Sequence, residues 1–395
     1  MDSSDVLERA QSKQGFAGSG ARAAARVRSL SLQDFRSYTH LRLPLDGRPV
    51  VFFGTNGAGK TNLLEAVSLI GPGRGLRSAR LDELPRVEGA GGWAVSATIT
   101  TQSDEMVLGV GVDPATPGKR QCRIDRRPAS GPGAFSAHIR MLWLTPAQDR
   151  LFMDGASERR RFIDRMALAH DPAHGKAANA YEKAMRQRQR VLDERPNEAA
   201  WLSALEEQMA AAGVAVAAAR REIAGILSDQ DPGSGFPQSE VALDGFLENA
   251  LTGSPAVDVE DMYAERLREN RALDAKAGRA LLGPHRSDLL VSHCAKGRPA
   301  RLCSTGEQKA LLIGLVLANA RALAARPGGA PLVVLLDEIA AHLDDERRAQ
   351  LFDVLDLIGF QTFMTGTDKE LFSAWGDRAQ AFSLRGGDPQ PEDLF

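Results

Sequence analysis

The chain has 395 residues, 43% of them hydrophobic and 25% charged, and its 49 basic and 51 acidic residues leave a formal net charge of −2. That length supports a large core shared by two or three domains, and the near-neutral balance excludes recognition of nucleic acid or a membrane surface by bulk charge, so a polyanion would need a local patch. Cys122, Cys294 and Cys303 lack metal-ligand spacing and make an odd count, as expected of a reduced, cytoplasmic compartment, and no apolar run suggests the ~20 residues that span a bilayer.

Residues 1–26 include Asp2, Asp5 and Glu8 and no apolar core, so they read as a flexible tail or, through Arg22, Arg26 and Arg28, as a short basic arm. Val27–Tyr38 alternates as a strand does, and Pro49–Gly54 is a short buried-strand run ending in glycine. Leu63, Leu64, Val67 and Leu69 then follow helical spacing, stopped by Gly71-Pro72-Gly73. From Trp93 to Arg127, β-rich stretches separated by polar and Pro/Gly residues predict antiparallel hairpins, and Met141–Thr145 predicts another strand. The pattern changes beyond it. Arg159–Leu192, Ala199–Leu227 and Met262–Leu282 read as helices, with 228–239 as a loop, and without heptads they suggest a compact arm. Strand and helix alternate again after Leu289. The expected plan is an α/β head in two parts, 27–150 and 275–385, interrupted by a helical arm over 151–274 and followed by a flexible acidic tail over 386–395.

Two stretches carry chemistry. Gly54, Thr55, Asn56, Gly57, Ala58, Gly59, Lys60 and Thr61 complete the pattern G-x-x-x-x-G-K-[ST] between a strand and a helix. The glycines let backbone N–H groups turn around phosphate oxygens, Lys60 reaches the β- and γ-phosphates, and Thr61 ligates Mg2+. Downstream, "LVVLLDE" delivers Asp337 and Glu338 to a strand end, Asp337 for the Mg2+ shell and Glu338 to polarise the attacking water. A third stretch, "CSTGEQKALLIG", begins a helix at Ser304. By itself Ser304-x-x-Glu307 is a capping box. It lies one helix before the carboxylate strand, however, where ABC-type ATPases keep their signature.

From about Val27 to Leu384 the chain resembles the RecF family of ABC/SMC-type ATPases. The resemblance rests on "LSLQDFRSY", "GTNGAGKTNLLEAV", "LTPAQDRLFMDGASERRRFID", "YEKAMRQRQRVL", "LLGPHRSDL", "STGEQKALLIGLVLA" and "LLDEIAAHLD", in that order. It implies a head with a β-rich lobe and an inserted α-helical arm, binding ATP and Mg2+ and dimerising head to tail. Ser304, Thr305, Gly306, Glu307 and Gln308 would serve the nucleotide of a second copy, with Asp344 at the same junction. Gln148 is similar to the Mg2+-sensing Gln of ABC proteins, and Arg36 and Tyr38 to contacts near base and phosphates. Thr365 and Thr367 stand where transporters carry a switch histidine, which implies slow hydrolysis, and the family resemblance implies that DNA stimulates it weakly. His342 reads as structural.

The family also implies sequence-independent binding of double-stranded DNA near single-strand junctions, help in loading RecA with RecO and RecR, and a part in SOS induction. Candidate DNA contacts are Arg74, Arg77 and Arg80, and Arg159, Arg160 and Arg161. Arg126–Arg127 and the group Arg186, Arg188 and Arg190 are further clusters, each also readable as a solvated face. The ending "QPEDLF" (Gln390–Phe395) is similar to short peptides that dock on the bacterial sliding clamp, and equally reads as a plain acidic tail. The alternatives are the ATPase subunit of a membrane transporter, whose signature follows the phosphate loop sooner, and a long-armed SMC-like structural ATPase, whose heptads are missing here.

Overall fold

The structure is a computed structural model that describes residues 26–100, 104–230, 235–326, 330–340, 343–385 and 387–394. His342 and the N-terminal tail, apart from Arg26, lie outside the described residues.

Strands β1 (Arg26–Phe35) and β2 (Tyr38–Pro44) form a hairpin where the sequence suggested one strand, because Arg36 adopts a left-handed backbone, φ 53°, and reverses the chain. With β4 (Trp93–Thr100), β5 (Glu105–Val112), β6 (Arg120–Ile124) and β7 (Arg127–Ala129) they make an antiparallel sheet of order β2-β1-β4-β5-β6-β7. The expected hairpins are this lobe.

The second sheet combines β3 (Val50–Phe53), β8 (Arg140–Leu144), β12 (Leu332–Leu336), β13 (Gln361–Gly366), β14 (Gln380–Ser383) and β15 (Gln390–Pro391) in the order β15-β14-β3-β13-β12-β8. All pairs are parallel except β14 with β15. Its strands are apolar runs because both faces are covered. Val50 and Phe52 face the antiparallel lobe and α1 (Lys60–Leu69), whereas Val51 and Phe53 face the helical side. That side holds α2 (Ala156–His170), α8 (Thr305–Ala325) and α9 (Asp345–Ile358). By length and composition α8 could cross a bilayer, contrary to the expectation that no apolar run approaches such a span, but it is a largely buried core helix.

The remaining helices are α3 (Ala173–Glu194), α4 (Ala199–Ser228), α5 (Phe246–Ala250), α6 (Ala256–Glu269) and α7 (Arg271–Ala277). The helix expected over Arg159–Leu192 is two, broken where Pro172 denies a backbone donor. The segment from Met262 divides at Asn270 and stops at Gly278, φ 65°. The arm does not end where the sequence boundaries put it. Leu202–Ala217 of α4 lies in the arm's own core, while Ile223, Ala224 and Leu227 enter the head core. Strand β9 (Ser239–Asp244), read as loop and arm, pairs with β10 (Asp288–His293), which also pairs with β11 (Arg298–Pro299). The tail is a further correction. Gln390–Pro391 extends the second sheet and Leu394 is buried in the head core, so apolar burial holds a segment whose acidic composition suggested freedom.

Candidate functional site

The phosphate loop joins β3 to α1, and its glycines are forced by geometry. Gly54 has φ 148°, and a Cβ there would collide with the carbonyl of Leu384; Gly59 has φ 95°, and a Cβ would lie 2.9 Å from the Tyr38 hydroxyl oxygen. Gly57, φ 84°, has open space where a Cβ would point. Lys60 is buried, and its ammonium donates to the carbonyls of Gly54 at 2.7 Å and Thr55 at 3.0 Å, with Glu338 Oε1 at 3.9 Å.

At the end of β12 the two carboxylates separate. Asp337 is buried and accepts from the Thr61 hydroxyl at 3.1 Å and the Thr365 hydroxyl at 2.7 Å. Glu338 has φ 53°, and its backbone N–H donates to the same Thr365 hydroxyl at 2.9 Å. Thr365 therefore ties the Asp337 carboxylate and the Glu338 backbone to β13, a role that its place opposite the transporter histidine did not suggest. Burial raises the Asp337 carboxyl above the usual aspartate range, and the hydroxyls of Thr365 and Thr61 oppose that. Among the described residues no group of three or more His, Cys, Asp or Glu could hold a metal. One carboxylate beside one hydroxyl nevertheless fits Mg2+, a hard cation that keeps most of its shell for waters and phosphate oxygens.

Arg36 and Tyr38 prop this loop. Arg36 forks onto buried Glu65 of α1 at 2.8 and 2.9 Å and donates to the Glu83 carbonyl at 2.7 Å, while Tyr38 donates to the Gly59 carbonyl at 3.4 Å. Burial pushes the Tyr38 phenol above its ordinary value. Thr145 donates to Gln148 Oε1 from its N–H at 3.1 Å and its hydroxyl at 3.4 Å, so the amide oxygen caps its own turn.

The signature sits at the exposed start of α8. The Glu307 N–H donates to the Ser304 hydroxyl and the Ser304 N–H to the Glu307 carboxylate, which also pairs with Lys296 and Arg298. Hydrogen bonds from Lys296 and the Ser304 backbone hold the Glu307 carboxyl down at about 2. A Cβ on Gly306 would meet nothing within 4 Å. Thr305 is exposed beside it, but Gln308 turns inward and donates to the Cys303 carbonyl at 2.9 Å. Asp344 caps α9 by accepting from the Arg347 N–H at 2.8 Å. Among the described residues no hydrogen bond or ion pair joins 304–308 to 54–61.

Comparison with known proteins settles the family. The RecF/RecN/SMC N-terminal domain family matches residues 26–385. The protein called DNA replication and repair protein RecF in Rhizobium etli strain CIAT 652 is 50% identical over 363 residues, 91% of this chain and 96% of that one. The chain belongs to the RecF family. Its counterpart in Agrobacterium fabrum strain C58 is 49% identical over 364 residues, again covering 91% of this chain and 96% of that one. A solved structure of the recombination mediator protein RecF with ATP superposes with TM-score 0.81 over 95% of this chain and 100% of that one; at 22% identity it shows the shared fold, an SMC-type ATPase head. Membership in RecF sets aside the transporter subunit.

The arginine clusters divide. Arg159 forks onto Asp288 at 2.7 and 2.8 Å, and Arg160 donates to the Ser287 carbonyl at 2.7 Å, so both hold α2 against the start of β10. Arg161 is exposed beside Glu158. Arg77 and Arg80 are exposed, near Glu65 and Asp82, and Arg74 is exposed at the head–arm junction. Arg188 is buried in ion pairs with Glu206 at 2.9 Å and Asp274 at 2.6 Å, because α3 turns it inward between α4 and α7.

Proposed function

We propose that this RecF-family chain is an ATP-controlled clamp on double-stranded DNA, in which two copies close head to tail over shared nucleotides. The observation that carries the proposal is the division of the site. The loop Gly54–Thr61, Asp337, Glu338 and Thr365 are joined by hydrogen bonds and an ion pair, while Ser304 and Gly306 present an open, capped helix start without contact to that loop in their own chain. A helix start of this kind favours an anion. ATP with Mg2+ supplies the γ-phosphoryl group and the negative charge that both copies grip.

The chain's residues then have separate tasks. Backbone N–H groups of 54–61 donate around the phosphates, and the Lys60 ammonium exchanges its carbonyl partners for phosphate oxygens. The Thr61 hydroxyl and the Asp337 carboxylate hold Mg2+, and Glu338 accepts a proton from the attacking water. Ser304 and Gly306 of the second copy donate from the opposite side, so nucleotide stabilises association by mass action and hydrolysis releases it. The exposed Arg77, Arg80 and Arg161 contact DNA phosphates without reading sequence. Junctions of double- and single-stranded DNA are the target, and loading of RecA with RecO and RecR the outcome.

Sedimentation of wild type, Glu338→Gln and Ser304→Arg, with and without ATP, tests the mechanism. Glu338→Gln is expected to form ATP-dependent dimers and not turn over, and Ser304→Arg to bind ATP as a monomer. Monomers in every condition would refute it.

A further inference from the structure

A cleft of about 880 Å³ opens where the head meets the arm, between the end of α1, residues 72–84, the turn before β8 and the start of α3. Its size lies within the ~300–1,000 Å³ of ligand sites. Leu81, Leu84 and Leu168 supply apolar lining. Around them the charge has one sign: Arg74 comes from the head and Lys176 from α3, and among the described residues no Asp or Glu lines the cleft. Arg80, also at the rim, is already paired with Asp82 at 2.8 Å. Arg74 and Lys176 have no carboxylate partner among the described residues.

Deeper in, the cations are fixed in place. Arg120 donates to the carbonyls of Gly73 at 2.6 Å and Leu69 at 2.8 Å, and its Nε is buried without a hydrogen-bond partner. A narrow recess shares Pro72, Ser136, Leu168 and Pro172 with the cleft and is lined by Arg165, whose guanidinium lies 4.3 Å from the Trp143 ring centroid and whose Nη1 is buried and unpartnered. Unsatisfied buried donors are costly, and here two arginines leave one each at the same junction.

We propose that this cleft docks a short acidic segment of a partner protein, its carboxylates pairing with Arg74 and Lys176 and its aliphatic side chains covering Leu81 and Leu168. Charge complementarity selects the occupant. Nucleic acid fits less well: among the described residues no aromatic ring lines the cleft for a base to stack on. The inference does not depend on the nucleotide mechanism.

The test selects random dodecapeptides by phage display on the full chain and measures the enriched peptides, fluorescein-labelled, by anisotropy. Wild type is compared with Arg74→Glu/Lys176→Glu and with Gly133→Trp. Gly133 lines the cleft and a Cβ there meets nothing within 4 Å, so tryptophan fills the space without changing charge. Enriched peptides should combine Asp or Glu with Leu or Ile, and both variants should weaken them at least about tenfold. Gly133→Trp should bind a labelled DNA duplex as wild type does. No enrichment, enrichment without an acidic bias, or affinities that neither variant changes would overturn the proposal. A parallel loss of duplex binding in Gly133→Trp would assign the cleft to nucleic acid instead.

Discussion

Replacing Thr365 by valine removes the one hydroxyl that bridges Asp337 and Glu338 and keeps the branched outline of a fully buried side chain. Two bonds are lost. One is donated to the Asp337 carboxylate at 2.7 Å, and the other is accepted from the Glu338 N–H at 2.9 Å. A hydrogen bond to a charged group contributes about 1.5–3 kcal/mol, and a buried donor left unpaired costs about 1–3 kcal/mol. Because one hydroxyl serves both, the terms are not independent, and a net loss of about 3 kcal/mol in unfolding free energy is expected. The loss carries a pH signature. Burial already raises the Asp337 carboxyl, and without Thr365, which opposes the shift, it rises further. A carboxyl raised in the folded state disfavours folding where it is ionised, and that cost disappears as pH falls through the folded pKa toward the unfolded value. The deficit is therefore largest at neutral pH and narrows on acidification. Urea unfolding at neutral and mildly acidic pH measures it, with Thr365→Ser restoring most of the stability. A valine variant as stable as wild type, or a deficit indifferent to pH, refutes the reasoning.

Two further outcomes are expected. Arg188→Met strands the Asp274 carboxylate, since Arg271 compensates Glu206 alone, and should cost the chain about 3–5 kcal/mol in urea unfolding; a loss below about 1 kcal/mol would contradict the buried network. Leu394→Ala should lower stability by about 2–5 kcal/mol because the side chain lies in the head core. An unchanged thermal midpoint would mean that the C-terminal segment is dispensable and free to reach a sliding clamp.

The parts of the fold legible in the sequence were those where local pattern and tertiary environment agree. The strand–glycine loop–helix of Gly54–Thr61 and the apolar run before Asp337 are unambiguous because a sheet buried on both faces needs continuous hydrophobic strands. Composition misled where a few contacts outweigh it. Pro and acidic residues at 389–393 suggested a free tail, yet a short edge pairing with β14 and one buried leucine fix it. Strand β9 alternates over only six residues, and its partner β10 is distant in sequence. The arginine clusters were the hardest. A count of guanidinium groups cannot tell Arg159, gripping Asp288, from Arg80 in solvent. For Arg188 a signal was present: Arg186 and Arg190, four residues apart, share one face of the helix, Arg188 lies on the other, and that other face carries the buried Tyr181, Ala184, Val191 and Leu192.

Lys309 ties the turn that carries Gln148 to the start of α8 within one copy. It is the residue after Gln308 in α8, buried, and its ammonium lies 3.1 Å from Asp149 Oδ2. Asp149 directly follows Gln148, and its other carboxylate oxygen is buried without a partner. A lysine in an apolar helix face needs an anion, and separating such a pair strands both charges. The turn that carries Gln148 therefore cannot shift without drawing the first turn of α8 with it. On the proposed mechanism, a change at Gln148 beside the chain's own nucleotide alters the placement of Ser304 and Gly306, the atoms offered to the other copy. Lys309→Met should then weaken the effect of ATP on dimerisation while leaving nucleotide binding by the monomer intact. Sedimentation with ATP distinguishes this from a purely structural role, since Lys309→Met/Asp149→Leu would restore stability without restoring ATP-dependent association. Recovery of both together would break the link argued here.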